Sequence, residues 1–473
     1  MDVVEYQSHD AVGLAALVAQ NLVSPTELLD VAQQIAADRN PSINAITQDL
    51  DGFARSEIAR GLPSGPFRGV PFLLKDQFQQ LAGTVTTASC KVLASTVADH
   101  DSTLTARYRA AGLVIFAKTN TPELALSPTT EPALFGATRN PWNLHHSAGG
   151  SSGGAAAAVA AGIVPAAHAS DGGGSIRIPA AACGLVGLKP TRGRVPLGPT
   201  VFENWGGATC AHAVTRTVRD TAALLDATAG AELGDSYVCH PHQGSFLAEL
   251  ERSPGVLRVA LMTAPLRDLP VDSEVVAAVE AVAAHLAAIG HRVEHARPDL
   301  DINALMTAFG VITSTGAAVV LDRAAAVRGR PLDQDDVEPT TWLSYERGRA
   351  SSGVDYVNAI NAVQAATRAA ARFHTQWDIL LTPTCAAPAP PIGSFTLDDP
   401  MQSLIAAGRF SPFTAVMNLT GEPSISLPLA RAANGLPIGV MFTAALGAEG
   451  VLLRLARQLE ITMAWSNAVA PRA

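Results

Sequence analysis

Two glycine clusters inside residues 147–190 constrain this chain more than any other feature. The stretch reads SAGGSSGGAAAAVAAGIVPAAHASDGGGSIRIPAAACGLVGLKP. Gly149-Gly150-Ser151-Ser152-Gly153-Gly154 comes first, and Asp171-Gly172-Gly173-Gly174-Ser175 second. Glycine runs let a backbone turn through angles that a side chain forbids and approach a ligand closely. Successive N–H groups freed in this way converge on an anion, including the oxyanion of acyl transfer. A serine closing the second cluster stands beside those donors, where a nucleophile is useful. Alone, Ser175 would more readily be read as the cap of a helix following a glycine loop.

The neighbouring strings add weight. With Lys75 in GVPFLLKD, the segments GGSSGG and SDGGGSIRIPA resemble the amidase signature family of serine hydrolases. KTNTPELA, TRNPWNL, CGLVGLKPTRGRVP, DILLTPT, FTAVMNLTGEPSISLP and NGLPIGVMF extend the likeness over about residues 43–460, thinning between roughly 230 and 370. The resemblance implies an α/β fold with a large mixed β-sheet flanked by helices on both faces. It also implies a catalytic triad of Ser175, Ser151 and Lys75, with Ser151 following a cis peptide bond. The backbone N–H groups of Gly172, Gly173, Gly174 and Ser175 would receive the oxyanion. Ser152, Asp171 and Arg177 fall to support, the latter two as an ion pair holding the loop. The family commonly carries a larger residue at position 172, so the extra glycine here is expected to loosen or widen the oxyanion hole.

In that scheme no histidine acts as base. Lysine has an ordinary pKa of about 10.4, which must fall by roughly 3, worth about 4 kcal/mol, for the amine to be neutral near pH 7. Burial away from carboxylates supplies such a shift. The apolar run Pro71-Phe72-Leu73-Leu74 before Lys75 suits it. Asp76 would oppose it, but strand neighbours point to opposite faces, so Asp76 is expected to face away.

Composition excludes several alternatives. With 48% hydrophobic and 16% charged residues, the chain is a packed globule rather than a disordered one. A net charge of −9 and the lack of a basic run argue against nucleic acid. The five cysteines have neither metal-ligand nor redox spacing, as expected of free thiols in a reducing cytoplasm. Cys239-His240-Pro241-His242 is a weak metal cue, and no metal or other cofactor is expected. The N-terminus lacks a basic region ahead of an apolar core. The uncharged residues 147–170 are too weakly hydrophobic to span a bilayer. A cytoplasmic monomer or homodimer acting on a small-molecule amide or carbamate is expected, with no nucleic-acid or membrane partner.

Along the chain, residues 8–60 read as helical, with a capping box at Ser24-Pro25-Thr26-Glu27 and a stop at Asn40-Pro41. Residues 69–74 and 112–117 read as buried strands, and 155–161, 215–229 and 276–289 as helices. Residues 257–262, 291–294 and 378–381 are strand-like. Residues 304–374 are mostly helical, 424–429 and 438–442 form a hairpin around Asn434-Gly435, and 452–459 closes with a helix. This β–α alternation itself suggests an α/β sheet. One domain spanning 1–473 is expected: a helical segment 1–65, a catalytic core 66–230, a variable helix-rich substrate-side region 231–375, and a return to the sheet over 376–473.

Gly149-Gly150-Ser151-Ser152-Gly153 also matches the G-x-S-x-G nucleophile elbow, which would follow a strand directly. The approach through His145 and His146 is polar, which disfavours that reading. A different alternative is a glutamine-hydrolysing subunit of an amidotransferase. Such subunits usually carry glutamine where this chain has Ile178, and no arginine cluster stands ready to clamp an α-carboxylate. Specificity is expected from 197–210, 306–345 and the approach to 410–413. There Phe202, Trp205, Phe309, Phe410 and Phe413, with Met306 and Trp342, suggest an apolar cavity for aryl or medium-chain acyl groups.

Overall fold

A computed structural model describes every residue except 202, 396–398, 466–468 and 472–473. Its thirteen strands, among the described residues, are β1 (Ile46–Asp49), β2 (Pro71–Lys75), β3 (Val114–Thr119), β4 (Arg139–Asn140), β5 (Asn143–Ser147), β6 (Ala166–Asp171), β7 (Val186–Lys189), β8 (Cys210–Thr215), β9 (Arg258–Leu261), β10 (Arg292–His295), β11 (Ile379–Pro383), β12 (Ser424–Arg431) and β13 (Pro437–Ala444). Eleven of them form one mixed sheet in the order β1-β3-β2-β6-β8-β7-β12-β13-β11-β9-β10, and β4 and β5 pair separately. The protein is therefore α/β, with helices packed on a large mixed sheet. Each of the four segments read from the sequence contributes strands to that sheet.

The centre of the sheet explains why the site sits where it does. β2 runs parallel to β3 and β6, with Leu73 opposite Ala167, so the C-terminal ends of β2 and β6 emerge side by side. Every residue of β2, β3 and β6 is buried. Strands covered on both faces read as continuous apolar runs. PFLLK and VIFAKT do so, whereas AAHASD carries none of the usual strand residues and was not legible.

Most of the helices fall where periodicity puts them. The capping box forms: Ser24 Oγ accepts from Glu27 N at 3.2 Å, and Ser24 N donates to Glu27 Oε2 at 2.8 Å. The helix does not stop at Asn40-Pro41 but runs through Pro41 to Ile43. Proline in the last turn forfeits one hydrogen bond. Burial of Ile43 and the left-handed cap at Asn44, whose N–H donates to Asn40 O at 2.8 Å, offset that loss. A further departure is β1, which interrupts the expected helical stretch and pairs antiparallel with β3.

The helix Ile302–Arg328 is long and apolar enough to cross a bilayer by length and composition. It packs against the helices Pro339–Ala350 and Gly353–Phe373, burying Leu305, Ala308, Ile312 and Leu321.

Candidate active site

Lys75 ends β2 fully buried, and its Nζ donates to Ser151 Oγ at 2.7 Å and to Ser170 Oγ at 3.0 Å. Burial drives its pKa well below the ordinary lysine value, and the negative Asp171 nearby opposes this only in part. Asp76 does face away. Its carboxylate accepts from Thr87 N at 2.9 Å and from the Thr87 hydroxyl. At Lys75 the backbone N–H leaves the strand ladder and donates to His168 Nδ1 at 3.2 Å. Burial keeps the His168 ring neutral, as an acceptor must be.

Ser151 is positioned by the first glycine cluster. The Gly150–Ser151 peptide is cis, and Gly149 has φ +76°. Ser151 precedes the helix Gly153–Ala160. Ser152 braces the arrangement: its hydroxyl donates to Ser170 O at 3.2 Å, accepts from Ser170 N at 3.3 Å, and its N–H reaches Ser175 O at 3.3 Å. Ser175 is thus brought against the Ser151-Ser152 turn, half-buried, with its hydroxyl free of hydrogen bonds among the described residues. β5 does precede the first cluster, but it pairs with β4 outside the main sheet and is not the central strand an elbow requires.

Asp171 at the end of β6 organises the second cluster. Its carboxylate takes Arg177 Nε and Nη2, both at 2.9 Å, and the N–H groups of Gly174 at 2.7 Å and Ile176 at 3.1 Å. Burial alone would raise this carboxyl, but the Arg177 guanidinium and these bonds hold it far below the usual carboxylate range. One expectation needs correction here. The Gly174 N–H is already donated to Asp171, so it is not an oxyanion donor. The N–H groups of Gly172, Gly173 and Ser175 have no acceptor among the described residues. Gly174 is needed for its backbone: φ is +134°, and a Cβ there would run into Thr414 Oγ1.

Aromatic side chains stand over the glycines. A Cβ on Gly172 would lie 2.6 Å from the Trp205 ring, and one on Gly173 would lie 3.0 Å from Phe309 Cζ. The absence of a larger residue at 172 therefore admits Trp205 rather than widening the site. Trp205 and Phe309 meet edge to face, 6.4 Å between centroids. Phe410 lies with Ile178, Cys385 and Phe395 in a small cluster behind Gly174. Phe413, 2% exposed, is a core residue packed with Val416 and Met417, a correction to its expected place in a cavity wall. Met306 packs in that same core, Trp342 belongs to a separate cluster with Tyr345, and Phe202 lies outside the described residues.

Sequence reasoning missed four contributors: Ser170, His168, Thr414 and Asn418. Thr414 Oγ1 donates to Gly173 O at 2.6 Å, and Asn418 contacts both Asp171 and Arg177. Both lie in FTAVMNLTGEP, a string with no charge or metal-type residue ahead of its closing glutamate to draw attention to them.

The family model described as Amidase matches residues 32–453. The chain belongs to the amidase signature family. It is 41% identical over 470 residues to the 6-aminohexanoate-cyclic-dimer hydrolase of Paenarthrobacter ureafaciens, covering 96% of this chain and 95% of that one. A solved structure of 6-aminohexanoate cyclic dimer hydrolase superposes with a TM-score of 0.93 at 40% identity, covering 98% of each chain. A bacterial aryl acylamidase structure follows at 0.87 and 26% identity, covering 97% of this chain and 96% of that one. As a member of this family the protein is an enzyme, a hydrolase of amide C–N bonds.

Proposed function

We propose that this amidase cleaves small aryl or alkyl amides, and carbamates or esters of similar shape, through a Ser175–Ser151–Lys75 triad and an acyl-enzyme. One observation carries the reading: a fully buried lysine amine, held well below its ordinary pKa by burial, 2.7 Å from the Ser151 hydroxyl. A neutral amine there has a lone pair to take a proton.

Ser175 Oγ attacks the carbonyl carbon, forming the new C–O bond. Its proton passes to Ser151 Oγ as the Ser151 proton passes to Lys75 Nζ. The oxyanion meets the N–H groups of Gly172, Gly173 and Ser175. Collapse breaks the C–N bond, and the amine leaves with the proton returned along the same relay. Water then repeats the steps on the ester, releasing the acid and restoring Ser175. In a carbamate the same attack expels the alcohol or the amine, depending on which leaves more readily.

The Trp205–Phe309 pair over the glycines favours a flat or methylene-rich acyl group. The cyclic amide of 6-aminohexanoate, named for the relatives, is a candidate of that kind. The enzyme needs no cofactor in this scheme and would act in the cytoplasm as a monomer or homodimer. A panel of anilides, aryl carbamates, the cyclic dimer and glutamine, scored for released amine, tests the proposal. An anilide, carbamate or cyclic amide should have the highest kcat/KM, and Ser175→Ala should abolish turnover. Glutamine as the best substrate, or turnover only with a partner protein, overturns it in favour of an amidotransferase subunit.

A further inference from the structure

Asn418 is 1% exposed and sits in the short helix Thr414–Thr420, more than 200 residues along the chain from the groups it contacts. Its side-chain amide faces two loops at once. Nδ2 donates to Asp171 O at 2.8 Å, Asp171 Oδ1 at 2.9 Å and Ala208 O at 3.0 Å. Oδ1 accepts from Arg177 Nη2 at 2.6 Å. Three oxygen acceptors on one side and a guanidinium on the other leave only this amide orientation satisfied. Asp171 begins the oxyanion turn, and Ala208 ends the turn that carries Trp205.

The Trp205 turn closes on itself through Ala208 N to Trp205 O at 3.0 Å and Thr209 N to Asn204 O at 3.4 Å, and its ring also stands against Gly316. Trp205, Gly206 and Gly207 all have positive φ, at 53°, 58° and 78°. The turn is held at Gly207 O by Arg192 Nε at 2.8 Å, and the same guanidinium donates to Asn418 O at 3.3 Å and to Leu419 O. The carbonyls of Gly207 and Ala208 are therefore both tied to residues 418–419, the first through Arg192 and the second directly. A ring that lies against Gly172 is placed by the residue that fixes the start of the oxyanion turn.

We infer that Asn418 is a positioning residue that locks the oxyanion turn to the wall formed by Trp205, so that one side chain sets transition-state stabilisation and acyl-group discrimination together. This rests on the triad reading above. Asn418 touches no reacting atom. It acts by fixing where the Gly172 and Gly173 N–H groups point and how close the Trp205 ring stands. Buried polar networks of this kind are expensive to leave half-satisfied, and the carbonyls of Asp171 and Ala208 lose their shared donor together.

Acetyl, butyryl and benzoyl p-nitroanilides, assayed with wild type and Asn418→Ser, provide the test. The variant should lose on the order of 10² in kcat, the scale of a displaced oxyanion donor, while KM for the acetyl substrate moves about threefold or less. The wild-type ratio of kcat/KM between benzoyl and acetyl substrates should shrink toward one. A purely structural role lowers the melting temperature and leaves that ratio alone. A folded Asn418→Ser enzyme with the wild-type ratio and kcat within about threefold overturns the inference. Should Asn418→Ser not fold, Arg192→Gln removes the other tie. A shift in the benzoyl-to-acetyl ratio larger than its loss of acetyl kcat supports the lock, and an unchanged ratio overturns it. Wild type is first labelled with a fluorophosphonate. Failure of Ser175 to react removes the triad reading and this inference with it, whereas labelling beside an indifferent Asn418→Ser removes this inference alone.

Discussion

Asp171 Oδ1 accepts the N–H of Gly174 at 2.7 Å while Oδ1 and Oδ2 together hold the Arg177 guanidinium. One fully buried carboxylate therefore shapes the turn on which Ser175 stands and neutralises the largest fully buried side chain of the core. In Asp171→Asn the Gly174 bond survives in kind, but Arg177 becomes an uncompensated buried charge. Breaking such a pair from one side costs about 3–5 kcal/mol. Chemical denaturation should show a loss on that scale, with residual activity falling at least in parallel. Stability within about 1 kcal/mol of wild type would contradict the role given to this pair.

Lys75 makes the opposite electrostatic statement. Its folded-state pKa lies below that of the unfolded chain, so between the two values the unfolded state binds more protons. Stability then rises with pH across that window and is lost as pH falls toward the folded value. Lys75→Met, which cannot titrate, should flatten the stability curve from neutral pH toward pH 10 and abolish turnover. A variant curve parallel to wild type would show that Lys75 is not held neutral.

Gly174→Ala should be close to inactive. An L-residue at φ +134° is strained by about 1–3 kcal/mol, and its Cβ would displace Thr414, whose hydroxyl holds Gly173 O. Circular dichroism with active-site titration distinguishes a misplaced turn from an unfolded chain. A fully active Gly174→Ala enzyme would contradict the geometry described.

His168 should matter where His145 and His146 do not, because its Nδ1 accepts the backbone N–H of Lys75. His168→Leu should lower kcat by about tenfold or more without altering substrate preference. His145→Ala and His146→Ala should leave most of the activity. Equal rates for all three variants would remove His168 from the support of Lys75.

The sequence made the site legible where chemistry is local. Lys75, Ser151 and Ser175 lie in short strings that resemble the amidase signature, and that resemblance, more than the glycines alone, marked them as candidates. β2, β3 and β11 were legible as continuous apolar runs, and the β12–β13 hairpin from its Asn-Gly turn. β6, β7 and β8 were not, since sequences such as AAHASD and CAHAVT become strands through burial between neighbours rather than through their own propensity. Asn418 and Thr414 were hidden for a different reason. A short polar residue on a helix has many uses, and only the fold brings these two to the oxyanion turn. The same limit applies to Phe410 and Phe413, three positions apart, one behind Gly174 and the other deep in the core.

The central claim is that neutral Lys75 activates Ser175 through Ser151. Labelling with a fluorophosphonate across pH, read by intact mass and peptide mapping, tests it most directly. A single phosphonyl adduct on Ser175, with loss of fluoride, is expected. Its rate should rise with pH to an alkaline plateau and be lost in Ser175→Ala and Lys75→Ala. An adduct on Ser151, or a labelling rate that is flat with pH and indifferent to Lys75→Ala, would contradict it.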